Sequence, residues 1–350
     1  MRVGLVGFAR AGKTTIFNTL TGMSAEVGGF EEKRGAHIGV VKVPDRRVEA
    51  LAEIVRPQRQ VHAEITFLDF PPQGAEERKG VLEGQTVAQM RELDALAQVV
   101  RAFVDPLSPS PPDLVQDLRA FHSEMVLADL AVIEKRLDRL KKEKGKERER
   151  DLLERCRLTL EEEKPLRSLH FLPDEEAILS GFAFLIQKPL LIVYNLAEAD
   201  LHAALPPEVV RYAEDEGLVL VPICGKVEME IAQLEEEEQE AFLKDLGLEV
   251  SARERFIQST YQMLHLVSFF TTAGGEVRAW PVPQGTTTVK AAGKVHTDME
   301  RGFIRAEVMA FDDYIRYRGE VGCREAGKMR LEGKEYVVQD GNVIRFRFKV

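Results

Sequence analysis

Val3-Gly4-Leu5-Val6-Gly7-Phe8-Ala9-Arg10-Ala11-Gly12-Lys13-Thr14-Thr15-Ile16-Phe17 decides the fold. Its apolar head reads as a strand over residues 3–6, and Ile16, Phe17 and Leu20 fall at helical spacing. Between them Gly7 to Thr14 spells G-x-x-x-x-G-K-[ST], the pattern of a phosphate-cradling loop placed between strand and helix. The glycines permit a tight turn that aims backbone N–H groups at a phosphate, and the helix adds the partial positive charge of its N-terminus. Gly7, Ala9, Arg10, Ala11, Gly12, Lys13, Thr14 and Thr15 are therefore candidate contacts. Lys13 is assigned to the outer phosphates, and the Thr14 hydroxyl to Mg²⁺, a hard cation that takes oxygen ligands. Thr15 is read as the residue that opens the helix.

Working outward, short apolar runs alternate with helical patterns, which predicts an α/β fold, a parallel sheet covered by helices. Strands are expected at residues 38–43, 65–68, 96–103, 189–194 and 218–223. Asp69 follows the strand at 65–68, where a carboxylate can hold the magnesium shell; a turn residue or helix cap is the competing role. Asn195-Leu196-Ala197-Glu198 ends a later strand and resembles the base-reading N-K-x-D of GTPases, with Leu196 in place of lysine and Glu198 one methylene longer than aspartate. That weakens a guanine clamp and admits adenine, so ATP and GTP both stand as ligands. Cys224 and Gly225 follow the next strand as candidates for a base-edge loop.

The sheet strands are interrupted. From about residue 118 to 169 apolar residues return at three- and four-residue steps, broken by a charged run over residues 141–151, which predicts a helical hairpin. A solvated packing arm and a docking arm for a large partner both fit it. Residues 105–112 hold four prolines and read as a loop. After an amphipathic run over residues 253–266, short strands are expected at 277–281, 303–308, 336–338 and 343–348, with turns or short helices at 286–289 and 312–316. The predicted domains are 1–117 with 181–266 for nucleotide, 118–180 for the hairpin, and 267–350 for a small β-rich module.

The chain has 350 residues, a net charge of -10 and three scattered cysteines. No disulfide-linked partner, zinc site or broad polyanion affinity is expected. The first strand begins at once after Met1-Arg2 and no apolar run reaches membrane length, so a cytoplasmic protein without membrane contact is expected. Residues 301–350 carry eleven Lys/Arg against eight Asp/Glu, the place to seek RNA contact, although Glu320, Glu325, Glu332 and Glu335 interleave with the cations.

With these pieces in order, the chain resembles the YchF/Obg-like ATPase family over nearly its whole length. Ala279-Trp280, Ala291-Ala292-Gly293, His296-Thr297-Asp298, the run from Gly302 to Val308, and Val338-Gln339-Asp340-Gly341 are similar to that family's TGS domain, a β-grasp module. The resemblance implies binding and hydrolysis of ATP, or of ATP and GTP, with Mg²⁺ and association with ribosomes. It places Lys13 and Thr14 in the phosphate loop, Asp69 at the magnesium, and Asn195, Leu196 and Glu198 at the base.

Four departures fall in the chemistry. The family's D-x-x-G is replaced after Asp69 by Phe70, Pro71 and Pro72, with Gly74 too late, and proline has no N–H for a γ-phosphate. No threonine stands in the first-switch stretch, residues 31–35. The family's histidine after the fourth strand is missing from the proline loop. Arg10 replaces a common asparagine and could supply positive charge to the phosphates, or lie exposed at the loop rim. Two functions follow: a slow NTPase using Lys13 and Arg10 that regulates contact with a ribosome or RNA, or a nucleotide-binding pseudo-NTPase scaffold.

Overall fold

A strand covered on both faces must be apolar there, and Val3–Val6 is the buried, apolar part of strand β1, Arg2–Val6, in the computed structural model. The structure describes residues 1–23, 25, 36–70, 82, 84–106, 111–166 and 169–349. The remaining strands among them are β2 His37–Lys42, β3 Arg59–Val61, β4 Glu64–Asp69, β5 Ala95–Ala102, β6 Leu190–Leu196, β7 Val219–Ile223, β8 Leu266–Thr271, β9 Glu276–Pro283, β10 Phe303–Ala310, β11 Arg330–Glu332 and β12 Asn342–Phe348.

They form two sheets, in the orders β2-β4-β1-β5-β6-β7 and β11-β10-β12-β8-β9-β3. In the first, β4, β1, β5, β6 and β7 pair in parallel. The strands beside β1 are β4 on one side and β5 on the other, so the crevice at its carboxyl end is a topological switch point, where α/β sheets bind ligands.

The chain divides into two compact units, Met1–Val40 with Thr66–Phe256, and Val41–Ile65 with Ile257–Val350. The sequence grouped residues 41–65 with the phosphate loop; in the structure β3 instead pairs with β9, Arg59 opposite Glu276. Two further expectations change locally. Residues 336–338 make no strand, only an isolated bridge from Val337 to Thr287. The amphipathic run ends with the helix Ala252–Met263, and Leu266 already belongs to β8.

The hairpin of the first unit is present as helices Leu114–Leu140 and Glu147–Glu161. Asp113 caps the first by accepting from the Gln116 N–H. Ile133, Leu137 and Leu140 share one core with Leu152, Leu153, Cys156 and Leu160, and that core continues into Val6, Leu68 and Leu96 of the sheet. At the tip Arg136 bridges Glu143 at 2.9 Å and Glu149 at 2.7 Å.

Asp129, on the first hairpin helix, is fully buried. Its carboxylate accepts from the Leu185 and Ile186 N–H groups at 3.1 and 3.0 Å and lies 2.7 Å from the Arg91 guanidinium. It therefore ties the hairpin to the turn that leads into β6.

The second unit is a β-grasp module: helix Thr288–Val295 lays Ala291 and Ala292 against Phe269, Val282, Ile344 and Phe346. Arg47 ties residues 41–65 to the rest of this unit, 2.6 Å from Asp340, which also accepts from the Ser268 N–H at 2.8 Å.

Asp129→Ala leaves the Arg91 guanidinium and two N–H groups without their carboxylate, and should cost about 3–5 kcal/mol in denaturant unfolding of the full chain.

Candidate phosphate-binding site

Every candidate from the sequence lies at the carboxyl end of the first sheet or on the element that follows it. Gly7 to Gly12 leave β1 in a loop whose backbone only glycine accepts at two points. Gly7 has φ +132°, and a Cβ there would lie 2.4 Å from the Val99 carbonyl oxygen. Gly12 has φ +91° and would meet the Asn195 amide at 2.2 Å. Ala11 is buried, while Ala9 and Arg10 lie on the rim.

Lys13 opens the helix Lys13–Thr21 with its ammonium folded under the loop, donating to the Gly7 and Phe8 carbonyls at 3.0 Å each. Burial pushes its pKa down from the ordinary 10.5 to about 8, with Asp69 opposing the shift. This is a cation stored where it is poorly solvated. A phosphate placed beside it would supply a countercharge that favours the protonated form.

Thr14 donates its hydroxyl to Asp69 Oδ2 at 2.8 Å, across 55 residues of sequence. The pairing of Leu5 with Asp69 between β1 and β4 makes this contact possible. Asp69 is 1 % exposed, and its Oδ1 is buried without a hydrogen-bond partner among the described residues. His37 Nδ1, at the start of β2, lies 3.3 Å from Oδ2. Sequence reading missed His37 because no motif marks it.

Among the described residues no group of three or more His, Cys, Asp or Glu is placed to hold a metal. Mg²⁺ does not need one, since it keeps waters and phosphate oxygens around one or two protein ligands. Thr14 and Asp69 fit that demand, and the orphaned Oδ1 is the acceptor that a water of such a shell would meet.

Arg10 has φ +64° and places its Nε 2.9 Å from Asp105 Oδ2, an acid at the start of the proline loop. Asn195 is buried and spans two loops: its amide donates to the Ala11 carbonyl at 2.9 Å and its oxygen accepts from the Gly225 N–H at 3.2 Å. Thr15 lies against Gly225, where an added Cβ would stand 3.1 Å from its methyl. Leu196 and Cys224 are buried and line a cavity of about 70 Å³ with Leu201, Val227, Ala252 and Arg255. Burial pushes the Cys224 thiol up, so it is an inert wall. Glu198 is exposed and pairs with Lys226 at 2.9 Å.

The structure thus brings Lys13, Thr14, Asp69 and the loop backbone into one cradle, ties Asn195 and Gly225 to it, and leaves Glu198 at the edge. Residues 31–35, Pro71, Pro72, Gly74 and residues 107–110 lie outside the described residues.

Comparison with known proteins places this geometry. The family model YchF-GTPase_C, described as a protein of unknown function, matches residues 266–349. The chain is 40% identical over 365 residues to the ribosome-binding ATPase YchF of Pasteurella multocida, covering all of this chain and 99% of that protein. The chain belongs to the YchF family. Its Bacillus subtilis relative, also described as a ribosome-binding ATPase YchF, is 38% identical with both chains fully covered. The solved Schizosaccharomyces pombe YchF GTPase superposes with a TM-score of 0.86 at 28% identity, covering 99% of this chain and 97% of that one. The P-loop sheet and the C-terminal β-grasp module are thus those of YchF proteins. No helix among the described residues is long and apolar enough to cross a membrane, and Cys156, Cys224 and Cys323 are free and buried.

If phosphate returns the Lys13 proton, nucleotide binding should take up close to one proton per site near pH 9 and almost none at pH 6. Calorimetry in buffers of different ionisation enthalpy measures this directly; equal uptake at both values would exclude Lys13 as the group that titrates.

Proposed function

We propose that this protein binds a purine nucleoside triphosphate, ATP or GTP, together with Mg²⁺, hydrolyses it slowly, and uses the nucleotide state to control its association with a ribosome or RNA in the cytoplasm. The observation that carries the reading is the contact of Thr14 with the buried Asp69, whose Oδ1 has no partner among the described residues, set beside the poorly solvated Lys13 ammonium. Phosphoryl transfer needs little from a protein beyond positioning and charge stabilisation. Lys13 and the loop N–H groups supply the charge. Thr14 and Asp69 would hold Mg²⁺, which neutralises phosphate oxygens when bound.

Asn195 couples the base side to the phosphate side, because one amide ties Ala11 to the loop that begins at Gly225. Leu196, Glu198, Cys224 and Gly225 would border the base. Arg10, oriented by Asp105, is the candidate for extra positive charge at the outer phosphates. Ribosome association is carried over from the bacterial relatives named for it; the hairpin and the C-terminal module are the parts proposed to meet that partner.

Pro72 and the changed first switch favour a second reading, a nucleotide-binding scaffold without turnover, since proline cannot offer the N–H that senses a γ-phosphate.

Calorimetry of nucleotide-free protein with ATP, GTP and their diphosphates, with and without Mg²⁺, alongside phosphate release, separates the two. The first reading expects Mg²⁺-dependent preference for a triphosphate, slow turnover, and at least a tenfold loss of triphosphate affinity in Lys13→Ala. Equal affinity for di- and triphosphate without turnover would establish the second. Arg10→Ala should slow hydrolysis and make the residual rate respond to potassium; undiminished, potassium-independent turnover would remove Arg10 from the mechanism.

A further inference from the structure

Asp69 has two oxygens in unlike surroundings. Thr14 and His37 both approach Oδ2, at 2.8 and 3.3 Å, while Oδ1 is buried with no partner among the described residues. An ionised carboxylate only accepts, so the imidazole meets it as an Nδ1–H donor. The ring is 44 % exposed and has one aromatic neighbour among the described residues. His37 begins β2, which neighbours β4 in the sheet, and its face lies against Phe17 with ring centroids 6.0 Å apart and planes tilted by 36°. Thr14 is assigned to the metal itself, which leaves His37 as the side chain whose contact serves the carboxylate alone.

We propose that His37 is a positioning residue for magnesium binding: by donating to Oδ2 it fixes the rotation of the Asp69 carboxylate and keeps Oδ1 turned to the metal's water shell. Outer-shell donors of this kind typically change metal affinity by about 10- to 100-fold. The role deepens the nucleotide reading above and rests on it.

The test uses the full chain and a non-hydrolysable ATP analogue, bound by calorimetry across a Mg²⁺ titration and in EDTA. His37→Ala should weaken the Mg²⁺ dependence about tenfold, leave affinity in EDTA within about twofold, and leave thermal unfolding of the metal-free protein unchanged. His37→Asn, which keeps an N–H donor on a shorter side chain, should recover part of the loss. In Asp69→Asn the further change His37→Ala should add nothing.

Unchanged Mg²⁺ dependence in His37→Ala, with a large loss in Asp69→Asn, would overturn the role of His37 while the metal reading stands. No loss in either variant would overturn both. A parallel loss in EDTA and in Mg²⁺ would show that His37 only packs β2 against the loop.

Discussion

An ammonium group kept out of water constrains this protein more than any other feature. Lys13 sits under the phosphate loop with two carbonyls for company and Asp69 nearby, short of the solvation an exposed lysine enjoys. That arrangement requires a loop bent so that Gly7 and Phe8 turn their carbonyls inward, hence the glycine at 7 pressed against the Val99 carbonyl. It requires β4 beside β1 so that Asp69 is within reach, and β5 on the other side to support the loop. The sheet order serves these contacts.

Polar ties between distant segments then keep the loop in place. Asn195 holds Ala11 from the β6 side, Asp105 holds Arg10 from the end of β5, and Thr14 and His37 converge on Asp69. Asn195 and Asp105 lie at or just beyond the carboxyl ends of β6 and β5, Thr14 on the helix after the loop, and His37 at the start of β2. The loop is therefore sensitive to whatever moves those ends. Asp129 performs the equivalent service for the hairpin, whose apolar seam runs without interruption into the sheet core. A long charged arm of this kind would sway on its own; rooting it in a common core with Leu68 and Leu96 gives it a rigid base.

The second unit shows how little sequence distance matters to a sheet. β3 is three residues long and carries no alternation to announce it, yet it completes the edge next to β9. Arg47 reaches Asp340 across 293 positions, and its guanidinium also covers Phe270 at 5.0 Å. Residues 336–338 look like a strand by their apolar content, but Val337 finds only one bridging partner, Thr287, and the segment runs as a connection.

What the chain spells out on its own is what lies in consecutive residues. The phosphate loop, its flanking strand and helix, the hairpin and a β-rich C-terminal module were legible because their determinants are glycine at strained φ, apolar periodicity and short motifs, all local properties of the backbone, whereas the β-grasp identity of that module came from the family resemblance. Asp69 was legible too, as a carboxylate closing an apolar strand. Asn195 was found by its motif, but its tie to Ala11 was not, since 184 residues separate them. His37 and Asp105 carried no signal at all. Their meaning arises only when the sheet order sets β2 beside β4 and β5 beside β1, because a hydrogen bond at 3 Å is decided by which strand ends become neighbours, and periodicity along one strand says nothing about its neighbour.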